Sequence, residues 1–431
     1  MGHIAAKGIY KDLQKRLDRN VVGAPEAKEL YEILRIMYSE KEAAVAVRMP
    51  IAPTTFAEIA RRTKLESGLL KTLLESMADK GLVMDFFHNR TGETYYLLSP
   101  TVVGFFEFSM MRIRDDIPQK ELAELMHNYM YTNDAFARDA FQKTTQLGRT
   151  LVHESALPED YSEILSYEKA SELISESEYH AVSLCYCRHK QHHLGVDCKY
   201  PMEVCTTINA GADLAIRRNF GRKSSRSELL DLLAQSRELG LVHIGDNVKN
   251  RPSFICHCCR CCCGFLQGIT HLKVTNTVMT SNFIAEVDKS ECKGCKKCTE
   301  RCPISAIQIK VLKRTDNKKK YRWAEVNSSL CLGCGVCVPA CKNGALSMKK
   351  RKQAVITPED SFDRVITMAL ERGKLHELIF DGDRPPSSDT LYMLTKAALN
   401  FPLTKRILLQ KEIKSRFLHF ILERTKPVQV V

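Results

Sequence analysis

Two stretches decide how this chain reads: CKGCKKCTERCP at 292–303 and CLGCGVCVPACK at 331–342. Both have the spacing C-x2-C-x2-C-x3-C, through Cys292, Cys295, Cys298 and Cys302, and then through Cys331, Cys334, Cys337 and Cys341. A constant offset of 39 residues relates them and aligns more than cysteines: Val287 falls on Val326, Gly294 on Gly333, Ala306 on Ala345 and Ile307 on Leu346. Such a register indicates an internal duplication. Three thiols two residues apart let a tight loop wrap three corners of a cubane. Gly294 and Gly333 permit the turn and bring backbone N–H groups near the sulfurs.

The segment resembles the bacterial two-cluster ferredoxins, in which the fourth cysteine of each motif points to the other cluster. The resemblance implies two [4Fe-4S] clusters. One takes Cys292, Cys295, Cys298 and Cys341; the other takes Cys331, Cys334, Cys337 and Cys302. Pro303 keeps the family's proline, whereas the second motif carries Lys342 in its place. A zinc site is the competing reading, but zinc seldom needs eight thiols in a duplicated register. Between the motifs, Ile307–Lys313 and Tyr321–Val326 read as a hairpin with a basic turn at Asp316–Lys320. Trp323 and Tyr321 on that hairpin read as packing over a cluster.

Outward from the motifs, charge is concentrated. The chain has 431 residues and a formal net charge of +13. Residues 281–352 hold 17 Lys+Arg against 6 Asp+Glu, whereas residues 1–110 hold 15 against 14. Two four-iron clusters with their thiolates subtract roughly four charges and still leave a basic segment. A localised basic surface of this kind is expected to dock an acidic redox partner.

Ten further cysteines crowd between residues 185 and 263: Cys185, Cys187, Cys198, Cys205, Cys256, Cys258, Cys259, Cys261, Cys262 and Cys263. Ala181–Cys187 reads as a strand, which would place Cys185 and Cys187 on one face. Ten thiols suffice for one or two additional iron–sulfur clusters. Structural zinc, with His189, His192, His193 or His257 as mixed ligands, is the alternative. A core of free cysteines is a third reading, but six in eight residues are too dense for it. Arg188, Arg217, Arg218, Arg222, Lys223 and Arg226 read as a solvated helical face or as an anion site.

The fold class expected is α+β and multidomain. Residues 1–110 read as a winged-helix-like domain. Its helices start at Pro25, at Thr55 with its capping-box partner Glu58, and around Leu69–Met77 with a stop at Gly81. A hairpin follows, Leu82–Phe87 and Thr94–Leu98, turning near Asn89 and Gly92. Residues 111–180 read as a helical connector interrupted near Pro158, and 181–280 as a Cys-rich metal-binding domain. Residues 281–352 form the two-cluster ferredoxin domain. Residues 353–431 read as a helical segment, broken at Gly373, Pro385–Pro386 and Pro402. Its apolar positions Leu403, Ile407, Leu408 and Ile413 suit core or homo-oligomer packing.

Length and composition exclude a disordered chain and a small disulfide scaffold. No run of 18 apolar residues occurs, so no transmembrane segment is expected, and a cytoplasmic, reducing location follows. No phosphate-binding glycine loop or nucleophile elbow is present. The whole architecture resembles a family of iron–sulfur proteins of anaerobic microbes, which implies electron transfer within a larger redox complex. Two alternatives stand beside it. One is a redox-sensing DNA-binding regulator, although few cations lie near the presumed recognition helix and nucleic acid is not the expected partner. The other is a reductase with an active-site cluster in 185–263.

Overall fold

The computed structural model describes residues 2–88, 92–132, 135–141, 143–157, 165–196, 198–313, 320–380 and 389–410. Asn89, Pro158, most of the Asp316–Lys320 turn, Pro385–Pro386 and Ile413 lie outside the described residues.

The N-terminal unit is built on amphipathic helices. Lys28–Met37 buries Leu30, Ile33, Leu34 and Met37 at helical spacing. Glu40–Arg48, which the sequence reading passed over, is stabilised by a complete capping box between Ser39 and Glu42. Thr55 caps Phe56–Thr63 through the Glu58 N–H, and no return bond from the Glu58 side chain accompanies it, so that expected box is half made. Ser67–Asp79 follows, and Gly81 (φ +76°) turns the chain into a hairpin. Strands β1 (Thr54–Thr55), β2 (Val83–His88) and β3 (Glu93–Leu98) form an antiparallel sheet in the order β1-β3-β2.

The expected helical connector contains a strand. Helices Gln119–Tyr131 and Ala135–Phe141 are followed by β4 (Gly148–Leu151), which is wholly buried. It is the edge of a six-stranded antiparallel sheet with β5 (His180–Leu184), β6 (Glu203–Ile208), β7 (Arg222–Lys223), β8 (Val242–Asp246) and β9 (Phe254–Cys258), ordered β4-β8-β9-β6-β5-β7. Four residues are too few for a period to show in sequence.

In the ferredoxin segment β10 (Phe283–Val287) pairs with β13 (Leu346–Lys350), and β11 (Ile307–Lys313) with β12 (Lys320–Val326). The duplication is visible in the register. Val287 pairs with Leu346 and Ile307 with Val326, and the 39-residue offset carries one pair into the other.

Helix Ser361–Arg372 packs into the core of the N-terminal unit. Ile366, Ala369 and Leu370 of helix Ser361–Arg372 pack with Leu13, Leu30, Phe106 and Met126. Lys374 donates to the carbonyls of Asp18 and Asn20. Gly373 ends that helix in the left-handed region (φ +68°), and the expected break at Pro402 falls between helices Asp389–Asn400 and Pro402–Leu408, the second of which the proline opens.

Ion pairs join the N-terminal hairpin to the sheet. Buried Asp85 takes Arg217 at 2.5 Å and Arg218 at 2.8 Å, and Arg218 also takes Glu75 at 2.6 Å. Arg222 pairs with Glu203 and Glu228. These three arginines are thus engaged in holding the fold, not offered to an anion. Burial alone would raise the Asp85 carboxyl, but the Arg218 and Arg217 guanidinium groups outweigh it and hold it below its usual range. Its stabilisation is therefore full above the unfolded carboxylate pKa and is lost as pH falls through the lower folded value. Asp85→Ala leaves two cations facing a buried gap and is expected to destabilise the protein by about 3 kcal/mol. An unchanged denaturant midpoint would refute this reading of the clamp.

Candidate metal centres

The ferredoxin thiols fall into two groups. Cys292, Cys295, Cys298 and Cys341 line one space of about 310 Å³ with Gly294, Ile309, Ala324 and Ala345. Cys302, Cys331, Cys334 and Cys337 line another of about 340 Å³ with Ile304, Leu332 and Met348. In each group three cysteines come from one motif and the fourth from the other. The loops need their glycines. At Gly333 (φ +73°) a Cβ would stand 2.1 Å from the Phe283 carbonyl, and at Gly294 (φ +60°) 2.6 Å from the Arg322 Cβ.

The surroundings suit an iron–sulfur group. The walls are apolar, and backbone N–H groups approach sulfur: Ala306 donates to Cys302 Sγ at 3.2 Å and Ala324 to Cys292 Sγ at 3.3 Å. Burial pushes the free Cys334 thiol up to about 12 and raises Cys337 as well. Thiolates there require a compensating cation, which iron held by these four cysteines would supply.

The two groups differ in exposure. Cys295 is exposed, and Cys292, Cys298 and Cys341 are half-buried, whereas Cys302, Cys331, Cys334 and Cys337 are all buried. Exposed Lys289, Lys293, Lys296, Lys297 and Lys342 surround the outer group. The inner group faces the sheet. The His153 N–H donates to the Cys334 carbonyl at 3.0 Å, and Arg351 donates to the Cys331 carbonyl at 2.5 Å. Its four cysteines share one apolar core with Cys258 and Cys263 of the Cys-rich region.

The ten remaining cysteines separate into six and four. Strand β5 ends at Leu184, so Cys185 and Cys187 do not share a strand face. Cys185 caps helix Tyr186–His193, and Cys187 lies in its first turn, still in contact with Cys185. Their polar neighbours Arg188, His189 and Lys190 favour the helical turn over a continued strand. Side-chain interactions then run from Cys187 to Cys263, from Cys263 to Cys258, from Cys258 to Cys256 and from Cys256 to Cys205. Alternation on β9 places Cys256 and Cys258 on one face.

The other four, Cys198, Cys259, Cys261 and Cys262, have their Sγ atoms all within 4.8 Å of one another. The histidines expected as mixed ligands stand outside this set. His189 Nδ1 lies 2.8 Å from the Met110 carbonyl, and His193 Nε2 lies 3.2 Å from His189 Nε2. His257 is buried and meets His243 edge-on, and His243 lies tilted against His153. His192 is exposed.

Two cations lie buried among these thiols: Arg188, expected on a solvated helical face or at an anion site, and Lys190, for which no role is expected from the sequence. Arg188, 1% exposed, donates to the carbonyls of Pro201 and His257 and faces Cys185, Cys198 and Cys259. The Lys190 ammonium lies 5.0 Å from the Tyr131 ring centroid and interacts with Cys187 and Cys263. The run Cys185-Tyr-Cys-Arg-His-Lys was the available signal: cations three and five residues after Cys185, beside two thiols whose charge they could balance.

Residues 291–345 match a family model described as a 4Fe-4S dicluster domain. No curated protein and no solved structure matches the chain. The chain is thus an iron–sulfur protein with a ferredoxin-type domain, and its clustered cysteines support electron transfer. Among the described residues no helix is long and apolar enough to cross a membrane.

Proposed function

We propose that this protein is an electron carrier of a larger redox complex, with an outer and an inner [4Fe-4S] site and a further iron–sulfur cofactor held by Cys185, Cys187, Cys205, Cys256, Cys258 and Cys263. Bound there, such clusters take up and release single electrons. The remaining work belongs to the chain. Cys292, Cys295, Cys298 and Cys341 would hold the cluster that a partner approaches; Cys302, Cys331, Cys334 and Cys337 would hold the inner one. The observation that carries this reading is the shared core, in which the inner ferredoxin thiols pack together with Cys258 and Cys263. It gives the chain a direction, from an exposed end to a buried one.

The lysines around the outer group supply docking. Among the described residues Lys293, Lys296, Lys297 and Lys342 are exposed and enter no ion pair, so their field is available to an acidic donor protein. Raising ionic strength is expected to slow reduction by such a donor about tenfold or more, while a small uncharged reductant is unaffected. The triple change Lys293→Glu, Lys296→Glu and Lys297→Glu should reproduce the loss at low salt. A rate that stays flat with salt would remove the docking surface from the account.

The N-terminal unit serves as a docking scaffold in this reading. Its helix Ser67–Asp79 spends Glu75 on Arg218, and Asp79 on Arg112 and Arg114. Those contacts fix it to the body of the chain.

A further inference from the structure

Cys198, Cys259, Cys261 and Cys262 differ in kind from the other thiols. Cys198 lies 3.8 Å from Cys259 and 3.6 Å from Cys261, and Cys262 lies 3.5 Å from Cys261. A single ion bound tetrahedrally at a metal–sulfur distance of about 2.3 Å sets its ligands about 3.8 Å apart along each edge. The observed separations match that edge. A four-iron cluster instead gives each thiolate its own iron and spreads the four sulfurs around a cube. The ferredoxin thiols of this same chain line wider spaces, of about 310 and 340 Å³, and are not gathered as closely. Among the described residues no other set of metal-ligating side chains is as tight as these four.

The local chain is built for the site. The turn after β9 delivers three thiols in C-x-C-C order, and a loop across from it delivers Cys198. Gln267 Nε2 donates to the Cys261 carbonyl at 2.6 Å and the Cys263 N–H to the Cys259 carbonyl at 3.2 Å, which pin the turn. Cys259 and Cys262 are 3% and 1% exposed, with Leu241 and Tyr200 packed against them. Cys261 is exposed, which leaves an entry path for an ion. Arg188, itself buried, faces Cys259 and Cys198 and offsets the negative charge of four thiolates around one divalent ion.

We propose that these four cysteines bind one thiophilic divalent ion, zinc or ferrous iron, as a tetrathiolate site separate from every iron–sulfur cluster of the chain. Four closed thiolate positions leave no open coordination, so the role is structural: the ion ties the β9 turn to the Cys198 loop. The site stands independently of the electron-transfer reading, and the two fail by different measurements.

The test uses the full chain purified without air. X-ray absorption at the zinc edge, or at the iron edge of a sample with its sulfide-containing clusters accounted for, is expected to show one ion with four sulfurs at about 2.3 Å. Cys261→Ser and Cys198→Ser should each lose about one metal ion per chain with acid-labile sulfide unchanged. Cobalt supplied to the metal-stripped wild type should give the absorption of a tetrahedral thiolate site, and the variants should not. Loss of about four irons together with sulfide in either variant would overturn the proposal in favour of a further cluster. Unchanged metal content in both variants, with no all-sulfur single-ion signal in the wild type, would overturn it outright.

Discussion

Cys334→Ala is expected to lose about four of the roughly eight ferredoxin irons and to cut the chain in two electrically. Cys334 is 8% exposed and belongs to the inner group, against the core that also contains Cys258 and Cys263. On the proposed assignment alanine removes a ligand that has no solvent-borne substitute in that apolar wall. The outer group is untouched, so an external donor should still reduce it at the wild-type rate. Reduction of the Cys-rich region by that donor should fall below detection. The converse variant, Cys295→Ala, alters the exposed group and should slow entry while leaving the inner irons in place. Full iron content and unchanged reduction in Cys334→Ala would mean that this thiol is no ligand and that the inner group is no relay.

Arg188→Met should do comparable damage by a different route. The guanidinium is buried, satisfies two carbonyls, and faces thiols of both the six-cysteine and four-cysteine groups. Methionine keeps much of its volume and none of its charge. Thiolates left without that cation are expected to cost about 3–5 kcal/mol, and the metal of residues 185–263 should be lost first. The ferredoxin irons should remain, because Arg188 touches neither of those groups. Lysine should rescue poorly, since a point charge cannot serve two carbonyls and a thiolate as a planar fork does. If Arg188→Met retains full metal and an unchanged unfolding midpoint, the charge balance described here is wrong.

The ferredoxin segment was the most legible part of the sequence because its chemistry is local: a loop must place three thiols within a few residues, so spacing records function. The hairpin Ile307–Lys313 with Tyr321–Val326 was legible too, whereas the pairing of β10 with β13 emerges only in the structure. The Cys-rich region was legible as a dense set of thiols but not in its division. Cys198 meets Cys261 at a separation of 63 positions, and Cys187 meets Cys263 across more. Sequence order carries no trace of which thiols the fold will gather.

Strand β4 escaped notice because four buried residues show neither alternation nor length. Cys185 and Cys187 were misplaced because an apolar alternating run ended one residue before them, where a helix begins. Arg217 and Arg218 looked like a solvated or anion-binding face, since their partners Asp85 and Glu75 lie more than a hundred residues away. The packing of Ile366 and Leu370 against the N-terminal helices is likewise a long-range fact.

The central claim is that the ferredoxin thiols and the six-cysteine group together hold redox centres in one conducting core. A reductive titration of the full chain, purified anaerobically and assayed for iron and sulfide, tests it most directly. The account predicts about three or more one-electron equivalents taken up per chain, two by the ferredoxin groups and at least one by the Cys-rich region. Uptake that stops at two, with no iron beyond about eight per chain, would contradict the buried end of that core; an iron-free chain that accepts none would contradict all of it.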